Sequence, residues 1–178
     1  GKSGLTQVSL NEVAHSIFYA PQYAAIELGY FEDEGIDLKL VNGAGADKVM
    51  TALVSGDADI GFMGSEASIY TYAQGAGDYA VNFAQLTRRA GNFLVAREPD
   101  TDFHGQKLIG KKVLGGRAGG MPQMVFEYIL KKNGIDPKTD LTIDQSISFG
   151  LTAAAFTSDD SDYTVEFEPF ATGLEMEG

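Results

Sequence analysis

The chain has 178 residues, 44% of them hydrophobic and 21% charged, which suits one full globular domain or two small lobes. Thirteen Lys and Arg stand against 25 Asp and Glu, a net charge of −12, and such a field repels a phosphate backbone, so nucleic acid is excluded as an expected partner. The absence of cysteine removes disulfides, Cys-based zinc sites and thiol nucleophiles, and two histidines, His15 and His104, leave little for a metal site, so no metal and no cofactor are expected.

No window of about 18 residues is free of polar interruptions, and Gly1-Lys2-Ser3-Gly4 carries neither a Met nor an apolar secretory core. A soluble chain is therefore expected, with any targeting segment removed. Charge is uneven: residues 1–90 hold 5 basic and 11 acidic side chains, residues 91–138 hold 8 and 5, and residues 139–178 hold 0 and 9.

Val8-Ser9-Leu10 begins an alternating, strand-like stretch, and Pro21 sits where a helix's first turn tolerates a missing N–H, in a helix running to Gly29. Ile36–Leu40 alternates with period two. Ala46, Val49, Met50, Leu53 and Val54 form one apolar helical stripe. Ile60–Met63 reads as the next strand, with Ser65 as N-cap and Glu66 as first-turn carboxylate of a further helix. Ala80–Ala84 and Phe93–Arg97 read as two more strands. This is the βαβα rhythm of a parallel sheet covered on both faces.

The polar stretch around Pro99, Gly105 and Gly110 reads as a connection between lobes, after which the pattern restarts. Lys112-Val113-Leu114 is a strand, Gly115–Gly120 a glycine-rich turn, and Met121, Met124, Val125, Tyr128 and Ile129 a second helical stripe. Lys131, Lys132 and Gly134 close that helix. The expected organisation is lobe 1 over residues 1–98, a connection over 99–110, and lobe 2 over 111–178.

Two tracts repeat. Gly35-Ile36-Asp37 matches Gly134-Ile135-Asp136, and the tract from Ala52 to Ile60 matches that from Ala155 to Tyr163 at an offset of 103. In both copies a helix ends, an Asp-x-Asp turn follows, and a strand begins. The pairs Asp57/Asp59 and Asp160/Asp162 are read as turns rather than metal or acid–base sites, because Asp satisfies its own backbone there and the spacing fits no calcium loop. The second copy is shorter after its Asp-x-Asp turn than the first. An incomplete second lobe is therefore expected, with an open sheet edge that could pair with a second chain as a strand-exchanged homodimer.

Several tracts carry a family resemblance. The run His15–Ala25, then Leu28–Asp37, Val54–Gly61, Leu108–Val113 and Glu168–Thr172 together resemble the periplasmic substrate-binding proteins of ABC importers, in the branch that takes thiamine-pyrimidine precursors, sulfonates such as taurine, and nitrate. The resemblance covers essentially the whole chain but only the first part of a typical family member. It implies a type II, two-lobed periplasmic-binding-protein-like α/β fold with hinge closure on a solute, a periplasmic or outer-surface location, and an ABC permease as partner. It implies no catalysis. Enzymes of pyrimidine synthesis on the same fold use a histidine with a cysteine-rich motif, and no cysteine is present here; a ligand-sensing regulatory domain would normally carry a helix-turn-helix, which is absent.

On such a fold the site lies where strand C-termini meet helix N-termini. Four loops qualify: His15–Tyr19, Gly43-Ala44-Gly45, Gly64-Ser65-Glu66 and Gly115–Met121. His15, Ser16 and Tyr19 offer hydrogen bonds and a flat apolar face, although a lone loop histidine is commonly just solvated. Gly64 and Ser65 place amides and a hydroxyl at the same level. Arg117, Gly119, Gly120 and Met121 form the strongest candidate, since backbone amides and a guanidinium can cup an acidic oxygen; the alternative is a tight turn with a surface Arg. The internal match sets Ser65 against Glu168, which makes Glu168 a candidate acceptor for an amino or amide hydrogen, or else a solvated carboxylate.

Overall fold

The structure, a computed structural model, describes residues 4–178, so the leader reading of the first three residues lies outside the described residues. The chain divides into two compact units, one reaching to Arg89 and the other spanning Ala90–Gly178.

The first unit is built on three parallel strands, β1 (Thr6–Glu12), β2 (Ile36–Asn42) and β3 (Ile60–Phe62), in the order β2-β1-β3. A 3-10 turn, Ile17–Tyr19, leads into α1 (Ala20–Glu27), with Pro21 in its first turn; α2 (Tyr30–Asp33) follows Gly29, whose φ of 75° ends the preceding helix. The apolar stripe predicted from Ala46 becomes α3 (Ala46–Ser55), which buries Ala46, Val49 and Met50, and α4 (Ser65–Ala73) follows β3. The expected strand at Ala80–Ala84 is irregular chain. Val81 and Phe83, which would share one strand face, are 76% and 77% exposed, so no layer rewards their alternation.

The second unit holds a four-stranded sheet in the order β4-β7-β5-β6, made of β4 (Asn92–Ala96), β5 (Lys112–Leu114), β6 (Thr142–Asp144) and β7 (Tyr163–Phe167). Its helices are α5 (Met121–Lys132), α6 (Thr152–Ser158) and α7 (Phe170–Glu177). β4 runs antiparallel to β7, from Asn92↔Phe167 to Ala96↔Tyr163, whereas the sequence reading gave this strand to the first lobe. The division consequently falls at Arg89 rather than at residue 98. The expected connection over 99–110 belongs to the second unit, where Leu108, in a 3-10 turn over Gly105–Leu108, is buried in the core. That core gathers Leu108, Val113, Phe126, Leu130, Ile135, Leu141 and Val165.

The repeat seen in the sequence is repeated in register. Ser9 pairs with Lys39 and Leu10 with Ile60; Lys112 pairs with Thr142 and Val113 with Tyr163, each partner lying 103 positions on. The Asp-x-Asp turns supply the same clamp in both. Asp59 Oδ2 accepts the Ser9 N–H at 2.8 Å while its own N–H donates to the Ser9 carbonyl at 3.0 Å; Asp162 Oδ2 accepts the Lys112 N–H at 2.9 Å and its N–H donates to the Lys112 carbonyl at 2.8 Å. These aspartates fasten a strand's start to the central strand, and their carboxylates take partners 50 residues away rather than the local backbone that the turn reading expected.

Arg97, just past β4, holds the end of α6: its guanidinium donates to the carbonyls of Ser161, Phe156 and Asp159 at 2.6, 2.7 and 2.9 Å and lies 4.2 Å over the Phe156 ring. Among the described residues no helix is long and apolar enough to cross a membrane, and no group of three or more His, Asp or Glu side chains is arranged to hold a metal ion.

Candidate functional site

β1 ends on Glu12, a carboxylate 1% exposed at the C-terminal end of the central strand. Burial of such a group calls for hydrogen-bond donors, and the next eleven residues provide them. His15 Nδ1 lies 3.0 Å from Glu12 Oε1, while Gln22 Nε2 and the Tyr23 hydroxyl donate to Oε2 at 3.0 and 2.8 Å. The Tyr23 oxygen in turn accepts the Ser16 N–H at 3.0 Å. Burial, then the hydrogen bond to Glu12, pushes the Tyr23 phenol up to about 12, so it remains a neutral donor.

Three predicted residues of the first loop are brought together around this carboxylate. The His15 side chain is 68% exposed, with its ring 4.4 Å from that of Tyr23 and tilted by 40°. Ser16 is buried, and its Oγ accepts the Phe18 N–H at 3.2 Å, capping the 3-10 turn. Tyr19 is buried with its ring edge-on to Phe62 of β3 at 4.5 Å; burial first, then the nearby Tyr23, Glu12 and Glu66, drives its phenol above the usual tyrosine range.

At the end of β3, Gly64 rather than Ser65 occupies the cap position of α4, and no side chain caps this helix. The expected N-cap role of Ser65 is thereby corrected: Ser65 is already helical, and its carbonyl accepts from the Ser68 hydroxyl at 2.7 Å. Glu66 is in the first turn, as expected, but buried, and its carboxylate folds over Gly64 so closely that a Cβ there would overlap it. In the Gly43-Ala44-Gly45 loop the three amides are already used, donating to the Glu12 carbonyl at 2.8 Å, to Asn42 Oδ1 at 2.9 Å and to the Val13 carbonyl at 3.0 Å. This loop is a strand-to-helix turn between β2 and α3.

In the second unit, the loop between β5 and α5 carries Arg117, Gly119, Gly120 and Met121. Arg117 Nη1 donates to the Ser146 carbonyl at 3.2 Å. The Gly119 N–H donates to Gln123 Oε1 of α5 at 3.0 Å and the Gly120 N–H to the Arg117 carbonyl at 3.1 Å, so two amides of the expected cup are already engaged. Met121 is the first residue of α5. Gly115 is required by close approach, since a Cβ there would strike Ile143 Cγ2. Glu168 accepts the Thr172 N–H at 3.0 Å and the Thr172 hydroxyl at 2.9 Å, bracing the first turn of α7 after the cis Glu168-Pro169 bond.

Sequence reasoning missed Glu12, Gln22 and the structural use of Tyr23. A signal was available in a carboxylate closing an alternating strand with a histidine three residues on. A second missed group is Glu166, buried on β7: Thr164 Oγ1 donates to its Oε1 at 2.7 Å, and burial raises its carboxyl above the ordinary range against the lowering effect of Thr164 and Thr152.

Comparison with known proteins finds that the NMT1/THI5-like family pattern matches residues 17–171. "Putative binding protein YtlA" of Bacillus subtilis (strain 168) is 51% identical over 174 residues, covering 98% of this chain and 52% of the relative. Among solved structures, the alkanesulfonate-binding protein SsuA of Xanthomonas axonopodis pv. citri bound to MOPS matches with a TM-score of 0.65 and 20% identity, over 97% of this chain and 58% of that one. The periplasmic nitrate-binding protein NrtA of Synechocystis PCC 6803 matches with a TM-score of 0.72 and 17% identity, over 98% of this chain and 50% of that one. The chain thus spans about half the length of the curated relative it matches.

Proposed function

Because the chain belongs to the NMT1/THI5-like family and has the α/β fold of periplasmic binding proteins, we propose that it is a non-catalytic receptor that captures a small polar or anionic solute and delivers it to an ABC permease. The solute classes are a pyrimidine precursor, a sulfonate or a nitrate-like anion, and the place of work is the outer side of the cell membrane. Names of the relatives support a binding role: one is a binding protein, one binds alkanesulfonates and one nitrate. The observation that carries the reading is the polar cluster at the C-terminal end of β1, where an exposed His15 stands on a buried Glu12 with Ser16 and Tyr19 beside it. In open parallel sheets that end is where ligands bind.

His15, Ser16, Tyr19, Gly64 and Ser65 are the contacts proposed in the first unit, and Arg117, Gly119, Gly120, Met121 and Glu168 those in the second. A thermal-shift screen across aminopyrimidines, alkylsulfonates and nitrate tests it: one class should raise the melting temperature in proportion to its concentration, and no shift from any class refutes the reading. Where the solute is anionic, Arg117→Ala should weaken it by roughly 1.5–3 kcal/mol, the range for hydrogen bonds to charged groups; titration calorimetry that finds unchanged affinity removes Arg117 from the site.

A further inference from the structure

The geometry points to Glu12 as a positioning residue that fixes which hydrogen-bonding face His15 turns to a solute, and thereby selects solutes bearing an N–H or O–H donor; this rests on the solute-binding reading above. Glu12 Oε2 accepts from Gln22 and Tyr23, and its Oε1 lies 3.0 Å from His15 Nδ1. A carboxylate in that role has no hydrogen to give, so the imidazole nitrogen facing it carries one. Neutral His15 is accordingly the Nδ1–H tautomer, and Nε2, on the other side of the ring, is a free acceptor. Contact with the tilted Tyr23 ring at 4.4 Å and the short reach from β1 hold the ring in that orientation.

The surroundings select in the same direction. Glu12 and Glu66, on β1 and α4, are both buried, and both raise the Tyr19 phenol. An anionic head group placed at His15 meets the Glu12 carboxylate beside it, whereas an amino or ring N–H group meets the Nε2 acceptor. The donor-bearing class, such as an aminated heteroaromatic ring, is therefore the one this end of the site takes.

Long-range nitrogen–proton NMR on the labelled protein reads the tautomer directly, with His15 assigned by its loss in His15→Gln. In the protein at about pH 8, above the ordinary histidine pKa, the expected form is Nδ1–H; the Nε2–H form overturns the inference without touching the solute-binding reading. Glu12→Gln should move His15 toward Nε2–H, and the unsubstituted protein decides the question should that variant fail to fold. Adding 4-aminopyrimidine should shift the His15 Nε2 signal and methanesulfonate should not, and Glu12→Gln should weaken 4-aminopyrimidine about tenfold, the equivalent of one hydrogen bond. Methanesulfonate alone perturbing Nε2, or neither probe doing so, overturns the selectivity. If no probe of the wider screen binds the protein at all, the receptor reading falls with it.

Discussion

β1 and β5 occupy the same place in their sheets, yet they end differently. In register terms Glu12 corresponds to Gly115: the first of these strands finishes on a buried carboxylate with three polar partners, and the second is followed by a glycine that tolerates no side chain because Ile143 fills the space. Likewise Ser65 starts α4 without a side-chain cap, whereas its counterpart Glu168 braces α7 through Thr172. The frame is shared down to the aspartate clamp at the opposite end of the strands, and the divergence is concentrated where ligands bind in folds of this kind.

The interiors differ as well. Buried apolar residues of the first unit include Ala14, Ala46, Ala58 and Ala67 beside Leu10, Val49 and Met50; those of the second are led by Leu114, Phe126, Leu130, Ile135 and Phe156. Removing a large core side chain from the second unit should have the largest effect: Leu130→Ala is expected to lower stability by about 2–5 kcal/mol. Denaturant unfolding followed by hydrogen exchange should place that loss in residues 90–178, and an equal loss of protection in the β1 region would break the contrast between the units.

The clamps sharpen the comparison from the other side. Asp59→Ala and Asp162→Ala each strip one acceptor from a strand N–H and should each cost about 1 kcal/mol. Equal losses in chemical denaturation support a shared device, and a loss confined to one would show that only one copy still depends on it.

The smallest effect is one of pH. Burial raises the Glu166 carboxyl above its ordinary value of 4.5, so the folded chain holds this proton more tightly than the unfolded one does. Its stabilising contribution is full below that ordinary value and is lost as pH rises through the raised folded value. Glu166→Gln, uncharged throughout, should lack this decline. A variant whose stability falls with pH as steeply as the unsubstituted protein's would remove Glu166 as its source.

Much of the frame was legible in the sequence because it is written in periodicity. The strands at Thr6–Glu12, Ile36–Asn42, Ile60–Phe62 and Lys112–Leu114 and the helices α3 and α5 follow alternation or stripes that one local segment carries by itself. Ala80–Ala84 alternates too, but strand formation needs a neighbour, which sequence periodicity does not report. β4 was found and assigned to the wrong unit for the same reason: its partner, β7, lies some 70 residues away. β6, Thr142–Asp144, lies in a stretch where the sequence reading assigned no element.

At the candidate site the loops were legible and their internal bonding was not. His15, Ser16 and Tyr19 come together, but the group that organises them is Glu12, which as the last residue of a strand looks like any polar residue before a loop. The Gly43–Gly45 amides looked open and are spent on Glu12, Asn42 and Val13; the bonds to Glu12 and Val13 are a fact of tertiary closeness rather than of spacing.

The Ser16 amide gives the protein a built-in reporter. It is buried and donates to the Tyr23 oxygen, which is itself tied to Glu12, so this hydrogen can leave for solvent only when the loop lifts away from the strand end. Its exchange rate with deuterated water therefore counts the openings of the loop that carries His15, and a solute seated on that histidine would slow it without touching the amide.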